Sequence, residues 1–139
     1  MNKNISRGKR KDTNEWIKGC LLVEDIDKPE GRMFILERYA PGLRGKGYEV
    51  IPETVGQYTE CPDMYGNDIF EDDIVVLDSE VKKIFKVNDG VVKYGRGGFY
   101  VNDFGTLNSL NVLASYDWIL RGKVIGNIHD NPELLNKYK

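Results

Sequence analysis

Histidine, cysteine and long apolar runs are scarce in this chain of 139 residues, and each scarcity excludes a class of protein. The single histidine, His129, is too few for a histidine-cluster zinc site, and any Ser-His or Cys-His catalytic pair would have to use it. The two cysteines, Cys20 and Cys61, lack metal-ligand spacing and are predicted to be buried free thiols, with one disulfide as the alternative. The apolar runs at 20–23 and 74–77 are far shorter than the roughly 20 residues of a membrane helix.

Charge is close to balanced but unevenly spread along the chain. Residues 1–47 carry 11 Lys and Arg against 7 Asp and Glu, residues 48–90 carry 3 against 11, and residues 91–139 carry 6 against 4. This pattern indicates either a basic patch beside an acidic face, or charges that interleave in space and only solvate the surface. Residues 1–12 are polar and basic without an apolar stretch, so we expect no secretory signal and a cytoplasmic protein.

Short β-strands are predicted along most of the chain, because alternating apolar residues recur between clusters of Gly, Pro, Asn and Asp. An N-terminal meander is expected from 5–11, 16–23 and 33–39, with a turn at Asp12-Thr13-Asn14. Further strands are expected at 48–51, 54–59, 74–77, 81–87, 91–94 and 99–104, and residues 118–120 and 123–128 form the last one. Turns are expected at 27–31, 62–67, 88–90 and 95–98. Asn131-Pro132-Glu133 predicts a short C-terminal helix over 132–137.

The Gly- and Pro-rich segment 40–47 is the best candidate for a domain boundary. It divides the chain into an N-terminal β-meander, residues 1–47, and a second part, residues 48–139, that ends in the helical tail. The second part has enough strands for a five-stranded barrel. The fold class predicted from the pattern is therefore mainly β, as a sandwich or small barrel.

Four segments, in register over nearly the whole chain, resemble the YopX family of small proteins encoded by phages and prophages. They are Arg7-Gly8-Lys9-Arg10 with Glu15-Trp16 and Gly19; residues 48–59, YEVIPETVGQYT; residues 66–75, GNDIFEDDIV; and residues 124–135, VIGNIHDNPELL. The resemblance implies an SH3-like barrel in the central and C-terminal part, a mobile-element origin and residence in the host cytoplasm. It implies no activity.

This chain departs from the resemblance at two places. Members of the family usually have Gly where Asp72 stands, and Asp tolerates a positive φ, so we expect the turn to persist. They also tend to have a Gly-Leu pair at Glu60-Cys61, which leaves the shape of the following loop open. The glycines Gly56, Gly66 and Gly126 are interpreted as backbone requirements. The apolar residues expected in the core are Ile69, Ile74, Val124, Ile125 and Ile128.

A search for catalytic and metal-binding groups gives no matched set. His129 lies between the last strand and the helix, where a surface or capping role is expected. The acidic residues Asp63, Asp68, Glu71, Asp72 and Asp73 include enough oxygen ligands for a divalent cation, but their spacing does not match an EF-hand, and turn capping is the preferred interpretation. The glycine-rich turn 95–98 lacks the lysine and the helix of a phosphate loop. The sequence therefore predicts no catalytic residues, metal, cofactor or small-molecule substrate, and a protein that is not an enzyme.

Basic residues of the N-terminal part form a candidate nucleic-acid site. Its members are Arg7, Lys9, Arg10, Lys11, Arg38 and Arg44; Arg32 and Lys46 add charge, and Trp16 and Tyr39 offer stacking faces. Against this hypothesis, the pI of about 5.5 is far from that of basic nucleic-acid-binding domains. Alternation along a strand also prevents the run 7–11 from forming one patch.

The leading functional hypothesis is a non-enzymatic phage accessory protein that binds another protein or itself, without membrane association. It depends on the expected barrel, on eight tyrosines and two tryptophans, and on the absence of a catalytic set. Nucleic-acid binding is the alternative, and a metal-dependent hydrolase that uses the acidic cluster comes third.

Overall fold

The structure, a computed structural model of the chain, describes residues 5–24, 31–37, 46–80, 83, 89–95, 98–103 and 122–138. The fold is mainly β and has two antiparallel sheets. The strands are β1 Ser6–Lys9, β2 Trp16–Val23, β3 Met33–Leu36, β4 Gly47–Val50, β5 Gly56–Pro62, β6 Asp68–Phe70, β7 Asp73–Leu77, β8 Gly90–Gly95, β9 Gly98–Asp103 and β10 Gly122–Asn127. The hydrogen-bonded orders are β4-β3-β2-β1-β5-β6 and β10-β7-β8-β9. No helix among the described residues has the length and apolar character that a bilayer crossing requires.

The chain forms two compact units, Met1–Tyr58 and Thr59–Lys139, which divide inside β5. The sequence places a boundary at 40–47 instead, of which the structure describes only 46 and 47. Residues 47–50 belong with the first unit here, because β4 pairs along its whole length with β3.

In the first unit, β1 and β2 form the predicted hairpin, with Ser6 opposite Gly19 and Lys9 opposite Trp16. Its turn depends on Asn14, whose φ of 63° is tolerated by Asn because the short side chain can hydrogen-bond locally. On one face of the sheet, Ile17, Ile35 and Val50 form a small buried core.

Strand β4 also approaches the residues at the end of β1, although these two strands are not neighbours in the sheet order. Arg10 and Val50 form an isolated antiparallel bridge, the Lys11 N–H donates to Glu49 O at 2.9 Å, and the Ile51 N–H donates to Lys9 O at 2.9 Å. These bonds satisfy backbone groups on the otherwise unpaired side of β4, which limits edge-to-edge aggregation there. One bridge is not a ladder, and within the described part of the chain neither sheet closes into a barrel.

In the second unit, the core lies around β7 and includes Ile69, Val75, Leu77, Val92 and Val101. A tight turn joins β6 to β7, and β8 pairs with β9, with Gly95 opposite Gly98. Residues 96 and 97 of the turn predicted at 95–98 lie outside the described residues. Strand β10 pairs with β7 and shifts register between Val124 and Gly126.

The short C-terminal helix expected over 132–137 is not confirmed as an α-helix, because Pro132–Tyr138 forms a 3₁₀ helix instead. Asn131 before it binds back to the end of β10, since its Oδ1 accepts from the Asn127 N–H at 3.2 Å. The chain passes so close that a Cβ on Gly126 would collide with the Asn131 side chain, which confirms the predicted requirement for Gly at this position.

Several local predictions are wrong. Residues 52–54 form a 3₁₀ helix that begins at Pro52, so β5 begins only at Gly56. Ile125 was expected in the core but is 36% exposed, because the irregular pairing of β10 at Val124 to Gly126 breaks strict alternation. Lys83 is helical where a strand over 81–87 was predicted. The turn at 27–31, the segment 104–120 and Asn88 lie wholly or largely outside the described residues.

Candidate functional site

The basic run at the N-terminus is split by strand alternation. Arg7 and Lys9 point to the same side of β1 and both lie over the Trp16 ring, with Arg7 Cζ 4.7 Å and Lys9 Nζ 5.4 Å from its centroid. Arg7 is 9% exposed, so its guanidinium is a packed part of the sheet and not an open phosphate contact.

Lys11 and Arg32 lie on this same side, because both pair with Glu49. Lys11 Nζ is 3.2 Å from Glu49 Oε2, and Arg32 Nη2 is 2.9 Å from Oε1. The hydrogen bond from Arg32, followed by that from Lys11, lowers the pKa of Glu49 below its ordinary value. Arg32 also covers the ring of Phe34, at 5.0 Å. The Glu49 carboxylate thus neutralises part of the local positive charge.

We call this side of the first sheet the cationic face, and it is opposite the core of Ile17, Ile35 and Val50. Lys18 belongs to it because Lys18 is directly opposite Arg7 on the neighbouring strand, so both side chains are on the same side of the sheet. Cross-strand register adds an apolar strip, in which Cys20 is opposite Leu36 and Leu22 is opposite Phe34. Leu22 is 50% exposed. The members of the cationic face are Arg7, Lys9, Lys11, Trp16, Lys18, Cys20, Leu22, Arg32, Phe34, Leu36 and Glu49.

Arg10 points to the opposite side of the sheet. Its guanidinium lies 3.9 Å from the Tyr48 ring centroid and makes two hydrogen bonds to Asp12, at 3.0 and 2.7 Å. The hydrogen bond from Arg10 lowers the pKa of Asp12. The remaining predicted site residues, Arg38 and Arg44, and the proposed stacking residue Tyr39, lie outside the described residues.

The acidic residues of the second unit cap turns and strands. The Asp63 carboxylate accepts from the N–H groups of Tyr65, Asn67 and Val124 at 2.9, 2.8 and 3.0 Å, and from the Asn67 amide at 3.2 Å. Burial alone would raise the pKa of Asp63, but these hydrogen bonds outweigh it and hold the pKa below its ordinary value of 3.8. Asp73 accepts from the Phe70 N–H at 2.7 Å. Within the described ranges, no three Asp, Glu, His or Cys side chains are grouped as metal ligands.

Asp72 joins three elements of the second unit. Its N–H donates to Val92 O at 2.7 Å and its carbonyl accepts from the Ile128 N–H at 3.1 Å. Its carboxylate lies between Lys93 Nζ, at 2.8 Å, and His129 Nε2, at 3.1 Å. His129 is therefore half-buried in a structural junction, where its side chain bonds to Asp72. The sequence position, from which a surface or capping role was expected, did not indicate this bond.

The loop between β5 and β6 exposes large apolar side chains. Met64 is 56% and Tyr65 is 65% exposed. The loop is fixed to β10, because the Met64 N–H donates to Gly122 O at 3.1 Å and Val124 donates to Asp63. Lys123 lies 5.6 Å from the Tyr65 ring, and Ile125 is also exposed. We call Met64, Tyr65, Lys123 and Ile125 the Tyr65 surface.

Sequence reasoning missed this surface. A turn was predicted at 62–67, but Met64 and Tyr65 within it were not singled out, and Ile125 was assigned to the core. The available signal was two adjacent large apolar residues inside a turn, where polar residues are usual. No local sequence signal indicates that these two residues lie beside β10, because about 60 residues separate the loop from that strand.

Comparison with known proteins identifies a matching protein family and a solved structure with a similar fold. Residues 6–136 match the family model described as YopX protein. The crystal structure of protein EF1440 from Enterococcus faecalis is similar, with a TM-score of 0.54 and 23% identity, over 96% of this chain and 99% of that one. At this identity the likeness concerns the fold alone. No curated protein sequence matches. The family match spans nearly the whole chain, and the protein therefore belongs to the YopX family.

Proposed function

We propose that this protein is a non-enzymatic phage-type accessory protein of the host cytoplasm that acts by binding a partner protein, and that the Tyr65 surface contacts this partner. The SH3-like barrel that the family resemblance implies for the second part of the chain belongs to the same proposal. The observation that carries it is the combination of exposure and rigidity at Met64 and Tyr65.

Exposed apolar side chains on a rigid backbone are suited to act as binding anchors. Ordering a flexible side chain at an interface costs about 0.5–1.5 kcal/mol, and ordering a loop costs more. The loop here is already ordered, because the Asp63 carboxylate accepts hydrogen bonds from Tyr65, Asn67 and Val124. Gly66, with a φ of 84°, allows the tight turn. Tyr and Met are also enriched in the buried centres of protein interfaces.

The chemistry of the Tyr65 surface indicates a partner with a pocket. Tyr65 has a ring that an apolar pocket can cover and a hydroxyl that can reach a polar group at the rim. Lys123 lies next to the ring and would favour a carboxylate on the partner beside that pocket. The proposed contact is therefore an aromatic anchor with one adjacent positive charge.

Photo-crosslinking from position 65 tests the proposal directly. A photoreactive phenylalanine analogue would replace Tyr65 in one variant and Tyr94 in a control variant, since Tyr94 is also an exposed tyrosine of the second unit, 53% accessible. We expect a crosslinked protein species from position 65 in cells, and its loss when Met64→Ser or Ile125→Ser is added. Equal crosslinking from positions 65 and 94, or none from either, would contradict the proposal.

Nucleic-acid binding through the cationic face is the second candidate, favoured by the exposed Lys11, Lys18 and Arg32 on one side of the sheet. Three observations make it weaker. Arg7 is buried, Arg7 and Lys9 already cover the Trp16 ring, and Glu49 pairs with both Lys11 and Arg32. A gel-shift series at about 50 mM salt tests it, and a phosphate-binding surface would lose affinity steeply as salt rises. The hydrolase hypothesis comes last, because Asp63, Asp72 and Asp73 hold backbone and side-chain groups of the protein itself.

A further inference from the structure

The cationic face combines an apolar strip with an excess of positive charge, and it lies in the first unit, apart from the Tyr65 surface in sequence. We infer that the cationic face is a second binding surface, and that its ligand is an acidic polypeptide segment with apolar side chains beside its carboxylates. The protein would then have two binding surfaces and act as an adaptor between two partners. The ligand inferred for the cationic face does not depend on the proposed role of Tyr65, whereas the adaptor role rests on it.

The apolar strip supplies anchoring sites for such a segment. Leu22 and Phe34 face each other across β2 and β3, and Cys20 and Leu36 form the next such pair. Directly opposite side chains lie about 5 Å apart, and successive pairs on one face are about 7 Å apart along the strands. The strip is therefore two strands wide. A ligand that covers Leu22, which is 50% exposed, would remove apolar surface from water.

The charged side chains around the strip determine which sign of charge the ligand should have. Lys18 lies along β2 beside Cys20, and Arg32 lies next to Phe34. Among the members of this face, which are all described residues, five cations stand against one carboxylate, that of Glu49, and Glu24 follows the end of β2 nearby. Lys18 is exposed and the Arg32 side chain is 56% accessible. An acidic ligand gains from these charges, and a basic ligand is repelled.

A polypeptide fits this face better than a nucleic acid does. Phosphates need a continuous track of accessible cations, and bases need open aromatic faces for stacking. On this face the apolar strip separates Lys18 from Arg32, and the Trp16 ring is already in contact with Arg7 and Lys9. Carboxylates that alternate with apolar side chains match a surface on which cations and apolar groups are themselves interleaved.

The test uses the full chain with three fluorescent probes. The first is an amphipathic peptide of glutamate and leucine, the second is its charge-reversed counterpart of lysine and leucine, and the third is a single-stranded oligonucleotide. Fluorescence anisotropy at low and at physiological salt measures their binding. We expect the glutamate-leucine peptide to bind and the lysine-leucine peptide to bind at least about tenfold more weakly, a difference of about 1.4 kcal/mol.

Variants locate the binding on the cationic face. Leu22→Ser removes an exposed anchor, and Lys18→Gln with Arg32→Gln removes charge; each change is expected to weaken the glutamate-leucine peptide by about tenfold. Lys46→Gln is the matched control, because Lys46 is an exposed cation that lies over Tyr48, on the other side of the sheet. Tyr65→Ser should leave this binding unchanged, which separates the two surfaces. Melting temperatures confirm that each variant is folded.

Three results would overturn the inference. The first is that the glutamate-leucine peptide does not bind, or binds no better than the lysine-leucine peptide. The second is that Leu22→Ser and the Lys18→Gln, Arg32→Gln variant bind as the wild type does. The third is that the oligonucleotide binds more tightly than the peptide and loses affinity in the same variants, which would make the cationic face a nucleic-acid surface.

Discussion

The carboxylate of Asp63 accepts a hydrogen bond from the backbone N–H of Val124, 61 positions further along the chain, at 3.0 Å. Val124 lies in β10, and its N–H points away from the neighbouring strand β7. Asp63 therefore satisfies a donor on the outer side of β10 and at the same time holds the loop that carries Met64 and Tyr65. A buried carboxylate, 4% exposed, thus fixes the geometry of the Tyr65 surface.

We expect Asp63→Asn to destabilise the second unit by about 2–4 kcal/mol. Each carboxylate oxygen accepts two hydrogen bonds, and an amide nitrogen in place of one oxygen would face two donors and leave them without an acceptor. Urea unfolding measures the loss. Asp12→Asn is the control, because Asp12 is exposed and its carboxylate pairs with Arg10 at the surface, so the change should alter stability little. Similar losses in the two variants would contradict this account.

The stability contributed by Asp63 should depend on pH in a defined direction. Its pKa in the folded protein is below the ordinary value of 3.8, so the unfolded chain binds the proton more readily. The contribution is complete above the unfolded pKa and is lost as the pH falls through the folded pKa. The difference in unfolding free energy between the wild type and Asp63→Asn should therefore be constant from pH 5 to 7 and shrink below about pH 4. A constant difference down to about pH 2 would mean that Asp63 is not responsible.

Local structure was predictable where one residue determines a backbone conformation. The β1–β2 hairpin follows from alternation on either side of a turn with Asn14, and the 62–67 turn follows from Pro62 and Gly66. In contrast, the functional surfaces depend on contacts between distant residues. Nothing near Arg7 in the sequence indicates that its guanidinium is buried. Nothing near Tyr65 indicates a fixed position beside Lys123, because the bond that creates it joins residues 63 and 124.

The two departures from the family resemblance coincide with unusual backbone. Glu60 has a φ of 67° and Asp72 has a φ of 74°, and both stand where related sequences tend to have Gly. For an L-residue, this conformation costs roughly 1–2 kcal/mol, less for Asp. At Glu60-Cys61, where the sequence left the loop shape open, the chain adopts a positive φ with a residue other than glycine. At Asp72 the side chain offers compensation, since it binds Lys93 and His129.

We expect Glu60→Gly to stabilise the protein by about 0.5–1 kcal/mol, because glycine adopts a positive φ without a Cβ clash. Part of the gain is offset by the greater freedom of glycine in the unfolded chain. Glu60→Ala is the matched control: it removes the same exposed side chain but keeps the strain, so it should not stabilise. Urea unfolding distinguishes them, and a gain of equal size in both variants would show that the side chain, and not the backbone, is responsible.

Asp72→Asn should lower stability by about 1–2 kcal/mol. Asparagine tolerates the positive φ, so the change removes the charge that faces Lys93 and His129 and leaves the turn intact. A double-mutant cycle with Lys93→Met isolates the ion pair, for which Asp72 and Lys93 should show a coupling energy above about 0.5 kcal/mol. Additive effects of the two changes would mean that the 2.8 Å contact contributes nothing measurable.

Gly19 tests the close approach of two backbones in the first unit. A Cβ at this position would collide with the carbonyl oxygen of Leu36, which cannot move without displacing β3. Gly19→Ala is therefore expected to cost about 3 kcal/mol, at the upper end for an overpacked site. Gly98→Ala is the control, because a Cβ there has no atom within 4 Å and the φ is not positive. If the two alanine variants melted at the same temperature, the contact between β2 and β3 at Leu36 would be wrong, and with it the apolar strip of the cationic face.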